Sequence, residues 1–181
     1  MAAQSGKRLN FVFVLADDLG WADLPVNGGD QHETPEIDAF AKTAMRFTQA
    51  YAAAPICSPT RASIMTGKSP ARLGITIWHE GALGRVMDRP LIPAVSEDHL
   101  EHAEVTLAQK FHRAGYRTIH IGKWHLGATA HGPETQCFDV NIGGMHWGAP
   151  QTYFYPYKGT QGFGGELRFV AGLGRESRAT S

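Results

Sequence analysis

Phe11-Val12-Phe13-Val14-Leu15 is an unbroken apolar run that leads through Ala16 onto Asp17-Asp18. A strand with one wet face alternates apolar and polar residues, whereas a run without alternation marks a strand buried on both faces of a parallel sheet. Helices and further strands are needed to build such a sheet, and both are readable downstream. Thr34-Pro35-Glu36 offers a helix start with an N-cap hydroxyl, proline at the first position and an acid at the positive dipole end. Ile37, Phe40, Ala41, Ala44 and Met45 then supply one apolar face. Ser58 or Thr60 can cap a short helix through Thr66, with Gly67 as its stop. That places Cys57 at a helix N-terminus, where unpaired N–H groups favour an anion. Thr106-Leu107-Ala108-Gln109 fits a capping box, with Gly115 as the stop. Thr118-Ile119-His120-Ile121 reads as a second strand running into Gly122-Lys123-Trp124-His125. Arg46 to Tyr51 reads as extended, residues 81–99 as a surface excursion, and no helix is expected from Gly143 onward. The order predicts an α/β fold.

The chain has 181 residues, enough for one ordinary domain. Its 17 Lys plus Arg balance 17 Asp plus Glu, so no excess positive charge argues for nucleic acid or an acidic membrane surface. Nine histidines, several beside Gly, Trp or Lys, suggest an enzyme more than a scaffold. Cys57 and Cys137 form no C-x-x-C or zinc-like spacing, which makes a disulfide framework unexpected. Met1 to Asn10 is polar and lacks the apolar core of a signal peptide, and no run approaches the ~20 apolar residues of a membrane span. The expectation is a soluble chain, cytoplasmic as given or cut from a longer precursor.

In α/β sheets function collects at the carboxyl ends of strands, and both predicted strands end in polar clusters. The adjacent carboxylates of Asp17 and Asp18 repel one another unless a hard divalent cation stands between them. Calcium takes 6–8 oxygen ligands and magnesium about six, so the pair supplies only part of either shell. A turn cap plus a solvated aspartate is the plainer alternative. Cys57-Ser58-Pro59-Thr60-Arg61 is a C-x-P-x-R pentapeptide. Its cysteine could be a small buried thiol or a thiolate nucleophile at a helix end. Lys123 and His125 sit two apart past a strand, so an extended backbone points both to one face. An ammonium and an imidazole there suit a tetrahedral oxyanion and its leaving group, while a solvated lysine and a histidine packed on Trp124 is the competing reading.

Together these segments resemble the sulfatase family within the alkaline-phosphatase-like superfamily. The matching stretches are Leu15-Ala16-Asp17-Asp18-Leu19-Gly20-Trp21, Thr34-Pro35 with Ile37-Asp38, and Cys57-Ser58-Pro59-Thr60-Arg61-Ala62-Ser63-Ile64-Met65-Thr66-Gly67. Gly115-Tyr116-Arg117-Thr118, Gly122-Lys123-Trp124-His125-Leu126-Gly127, Phe138-Asp139, Asn141 and Gly143-Gly144 continue it, so the likeness runs from about residue 10 to about residue 165. It implies a mostly parallel sheet flanked by helices, incomplete in this chain. It implies Ca2+, ahead of Mg2+, on Asp17, Asp18 and the oxygen of a formylglycine made from Cys57. Pro59 and Arg61 are then read by a formylglycine-generating or other sulfatase-maturing enzyme, and Arg61 also holds the hydrated aldehyde. Lys123 and His125 hydrogen-bond formylglycine and sulfate, and His79 stands where family members often approach substrate. One hydroxyl of the hydrate attacks sulfur and the alcohol leaves; the second hydroxyl collapses to aldehyde and expels sulfate, a route closed to serine.

The implied activity is arylsulfatase-like hydrolysis of sulfate monoesters, on a small sulfate ester or a sulfated carbohydrate. A phosphonate or phosphate ester hydrolase using the same modified cysteine, and an inactive truncated fragment, are the alternatives. The family's second half supplies further calcium ligands, a lysine and a histidine, and none of those motifs follows Phe138. The expected division is therefore a polar segment over 1–10, the amino-terminal part of a sulfatase catalytic domain over 11–165, and a tail over 166–181 that reads as a truncation or frameshift scar. The family is often exported, although no signal peptide is seen here. Cys137 stands where the family usually has glycine, and a structural or neutral role is expected for it.

Overall fold

The computed structural model describes residues 8–83, 90–91, 94–150 and 152–154, in two compact units divided between Ala50 and Tyr51. The expected tail over 166–181 lies outside the described residues, as does part of the 81–99 excursion. No helix among the described residues is long and apolar enough to cross a membrane.

In the first unit the Phe11–Leu15 run departs from expectation. It joins no strand among the described residues, and Phe11, Val12, Phe13 and Val14 are exposed, Val12 at 88%. A strand is made by its neighbours, and an apolar pattern alone does not supply the ladder that buries it. Two 3-10 turns, Trp21–Asp23 and Pro25–Asn27, follow. Helix α1 (Pro35–Thr43) starts where Pro35 predicts, yet the Thr34 hydroxyl caps nothing. Asp38, in its first turn, instead accepts the Val26 N–H at 3.1 Å and ties the helix to the preceding turn. Arg46–Tyr51 forms no strand and turns at Thr48–Gln49.

The second unit holds α2 (Cys57–Thr66), α3 (Pro70–Leu73), α4 (His79–Leu83), α5 (Leu107–Arg113) and strands β1 (Ile119–Ile121) and β2 (Val140–Ile142). The caps expected from Ser58 or Thr60 are not made. Helix α2 begins at Cys57, one residue ahead of Ser58 and three ahead of Thr60, so their hydroxyls lie inside the helix and bond elsewhere. Gly67 ends it as predicted, at φ 71°, with its N–H on the Ser63 carbonyl. Thr106 caps α5 by accepting the Gln109 N–H at 3.2 Å. The predicted second strand is β1, and it pairs in parallel with β2, Ile119 opposite Val140 and Ile121 opposite Ile142. Two 3-10 turns, Thr129–His131 and Pro133–Gln136, lie between the strands. Of the 81–99 segment, the helix α4 covers the start, and Glu97 and Ser96 return to bond Gly74, Thr76 and Ile77.

A core gathers Ala62, Ile75, Leu100, Trp124 and Leu126, with Met65, Leu73 and Phe138 against it. Trp124 is 2% exposed and donates its indole N–H to the His131 carbonyl at 2.8 Å, which reconciles a polar tip with burial. Truncating it to alanine costs about 3–5 kcal/mol on the scale of large core deletions. Through Trp124 and Leu126 the core thus takes in two residues of the segment that carries Lys123 and His125.

Candidate active site

Cys57 is the first residue of α2 and Arg61 stands one turn further on. Arg61 reaches out of the helix and donates through Nη1 to the Lys123 carbonyl at 2.5 Å. Ser58, 2% exposed, donates to the His125 carbonyl at 2.8 Å and accepts the His79 N–H at 3.1 Å. Three segments far apart in sequence, the pentapeptide, the start of α4 and the Gly122–Gly127 turn, therefore meet through main-chain groups.

The extended geometry expected for Lys123 to His125 is not what holds them. Strand β1 stops at Ile121, Gly122 has φ 93°, and His125 itself adopts φ 60°. A non-glycine residue in the left-handed region stores backbone strain of about 1–3 kcal/mol and persists only where its surroundings enforce it. The His125 N–H bonds the Met145 carbonyl at 3.1 Å and its carbonyl takes the Ser58 hydroxyl, so both sides of the residue are clamped. The ring is 2% exposed and packs near His79, centroids 6.4 Å apart.

Glu80, one residue into α4, completes this cluster and was not predicted. Its Oε2 meets His125 Nε2 at 2.5 Å and its Oε1 accepts the Gly148 N–H at 2.9 Å. Burial holds the His125 ring below its usual 6.5, outweighing the pull of Glu80, and the Lys123 and His79 charges act in the same direction as burial. Burial pushes Glu80 upward, yet the hydrogen bonds from His125 and from the Gly148 N–H prevail and keep its carboxyl below 4.5. The contact is a neutral imidazole donating to a carboxylate, not an ion pair. The signal for Glu80 in the sequence was only an acid next to His79; which ring it would meet, 45 residues away, was not readable.

His79 is 4% exposed, and its Nδ1 is hydrogen-bonded to the Asp98 carbonyl. Its ring also lies edge-on to His146 at 5.8 Å. Asp17 and Asp18 belong to the first unit, where both are exposed and Asp18 adopts φ 54°. Their donors are hard carboxylate oxygens, the set that calcium or magnesium takes. Cys137 also has positive φ, 68°, at the end of a 3-10 turn, and its carbonyl accepts the Thr118 hydroxyl at 2.7 Å.

The parallel-stranded α/β unit, with a helix-initiating cysteine on α2 and a strained histidine past β1, is of the alkaline-phosphatase-like fold, present here in part. The sulfatase family profile matches residues 9–166, and the chain belongs to the sulfatase family. It is 44% identical to arylsulfatase G of Canis lupus familiaris over 128 residues, covering 71% of this chain and 21% of that protein. Against N-acetylgalactosamine-6-sulfatase of Mus musculus it is 36% identical over 159 residues, 87% of this chain and 28% of the relative. Against steryl-sulfatase of Homo sapiens it is 36% identical over 153 residues, 84% of this chain and 24% of the relative. The crystal structure of Ps i-CgsB superposes with a TM-score of 0.58 at 31% identity, over 72% of this chain and 26% of that one. The chain therefore spans about a quarter of the length of the proteins it matches.

Proposed function

We propose that this chain is the nucleophile-bearing part of a sulfuric ester hydrolase of arylsulfatase type, and that Cys57 is converted to formylglycine by a sulfatase-maturing enzyme. The division into residues 1–10, 11–165 and 166–181 belongs to the same reading. The observation that carries it is the Arg61–Lys123 and Ser58–His125 pair of bonds, which join the maturation pentapeptide to the Lys123–His125 turn. When present, formylglycine supplies the nucleophilic oxygen, and a bound calcium lowers the charge cost of that oxygen. A thiol is a soft ligand poorly matched to calcium, whereas formylglycine would offer at position 57 a hard oxygen, the same donor type as the Asp17 and Asp18 carboxylates. The chain's own residues do the rest. The Lys123 ammonium and Arg61 guanidinium offset negative charge on the transferring group, and neutral His125, its Nε2–H committed to Glu80, offers Nδ1 as an acceptor. His79, with Nδ1 committed to Asp98, meets substrate through Nε2.

The relatives' names span a sugar sulfatase and a steryl-sulfatase, so the proposed substrate stays a sulfate monoester, either a small ester or a sulfated carbohydrate. The test pairs peptide mass spectrometry across Cys57, after coexpression with a maturing enzyme, with hydrolysis of an aryl sulfate and an aryl phosphonate in calcium. An aldehyde at position 57 and preferential sulfate release, lost in Cys57→Ala, are expected. Preferential phosphonate cleavage moves the assignment to the phosphonate hydrolases, and an unmodified thiol with no turnover of either ester points to an inactive fragment.

A further inference from the structure

The His125 main chain is clamped on both sides, by Met145 and by Ser58, and this fixes where the residue sits. It does not fix which ring nitrogen bears the proton. Nδ1 is buried and has no hydrogen-bond partner among the described residues, so Nε2 makes the ring's one described hydrogen bond, to Glu80. A carboxylate can only accept, which requires hydrogen on Nε2 and leaves the lone pair on Nδ1. Glu80 is itself held: its side chain is 13% exposed and its other oxygen is anchored by the Gly148 N–H. Gly148 lies so close that an added Cβ would stand 2.8 Å from His125 Cε1, so the wall behind the ring admits no side chain.

We infer that Glu80 is a positioning residue of this site, holding His125 in one orientation and in the Nε2–H tautomer, with Nδ1 kept as the acceptor for a hydroxyl of the reacting groups. The role in turnover rests on the sulfatase reading; the control of the tautomer does not. Partners that orient a functional histidine are worth about 10–100-fold in activity where metal sites have been tested, and a similar scale applies here.

The experiment takes the full chain, with 15N-labelled histidine, as wild type, Glu80→Ala and Glu80→Gln. Ring nitrogen shifts near neutral pH report the tautomer, and near-ultraviolet circular dichroism reports folding. Wild type is expected to show His125 as Nε2–H, Glu80→Ala a mixture of both tautomers, and Glu80→Gln, whose single acceptor oxygen is claimed by the Gly148 N–H so that its NH2 faces Nε2, the reversed Nδ1–H form. On the matured protein, Glu80→Ala is expected to lower kcat for an aryl sulfate about 10–100-fold with KM changed less than about twofold, and Glu80→Gln, with the tautomer reversed, is not expected to restore it. A folded Glu80→Ala that keeps the wild-type tautomer, or a wild type carrying hydrogen on Nδ1, overturns the inference. If wild type releases no sulfate but the tautomer follows Glu80, the positioning role stands and the sulfatase reading falls. If wild type is active and the tautomer ignores Glu80, the reverse holds.

Discussion

Ser58 joins two segments that carry the candidate chemistry, yet it does none itself. Its hydroxyl donates to the His125 carbonyl and accepts the His79 N–H, all in the interior. Ser58→Ala leaves both main-chain groups without a partner, and each buried polar group so orphaned costs about 1–3 kcal/mol. We expect a lower urea midpoint at unchanged far-ultraviolet dichroism; a midpoint equal to wild type would show that water or a relaxed loop replaces the hydroxyl. Residues such as Ser58 and Glu80 were not legible in the sequence. Their partners lie 67 and 45 positions away, and a hydroxyl or carboxylate gives no periodic sign of the backbone or ring it will meet. Cys57, Arg61, Lys123 and His125 were legible because they sit inside dense local motifs. The structure brings Arg61 to the Lys123 main chain and joins His125 to the residue after Cys57.

At the scale of elements, stops are the most readable feature and the left-handed positions show why. Gly67 ends α2 at φ 71° with open space around it, so Gly67→Ala meets no atom and costs only the conformational penalty, about 1 kcal/mol. Cys137 is the inverse case: it holds φ 68° where a glycine would be unstrained. Cys137→Gly relieves about 1–2 kcal/mol of left-handed strain against about 0.5–1 kcal/mol of added chain entropy, and so stabilises by about 0.5–1 kcal/mol. Thermal melts of the two variants should move in opposite directions, and a Cys137→Gly melting below wild type would contradict the strain assigned there. Starts were less readable than stops. Thr34, Ser58 and Thr60 all looked like caps, but a cap requires the helix to begin just after the hydroxyl, and α2 begins before two of them. Strand β2 went unread because three residues, one of them the buried Asn141, are too few to show a period. The Phe11–Leu15 run was read correctly as apolar and wrongly as buried, since composition states an appetite for cover and only pairing supplies it.

For the molecule as a whole, the unit from Tyr51 onward carries a set of histidines whose titration fixes how its stability answers pH. Burial holds His120, His125 and His131 below 6.5; the Asn141 bond opposes it at His120, and the His99 and His102 charges reinforce it at His131. In each case the unfolded chain takes up a proton, as pH falls through 6.5, that the folded unit refuses, so stability is lost on acidification. His99 runs the other way. Burial lowers it, but the Asp98 and Glu101 carboxylates outweigh burial and raise it, so its contribution is full below 6.5 and fades as pH rises through its folded value. Three groups against one give a net loss between about pH 6.5 and pH 5. Glu80, Asp98 and Asp139, held below 4.5, 3.8 and 3.8 by their hydrogen bonds, add a second loss only at lower pH, as protonation removes those bonds. We therefore expect the melting temperature of the full chain to fall by on the order of a few degrees from pH 7.5 to pH 5, ahead of the loss tied to Glu80, Asp98 and Asp139. His120→Gln, which removes one of the refusing rings but keeps a polar group facing Asn141, should make the decline shallower; a melting temperature that is flat or rises on acidification would mean that His99 governs the balance.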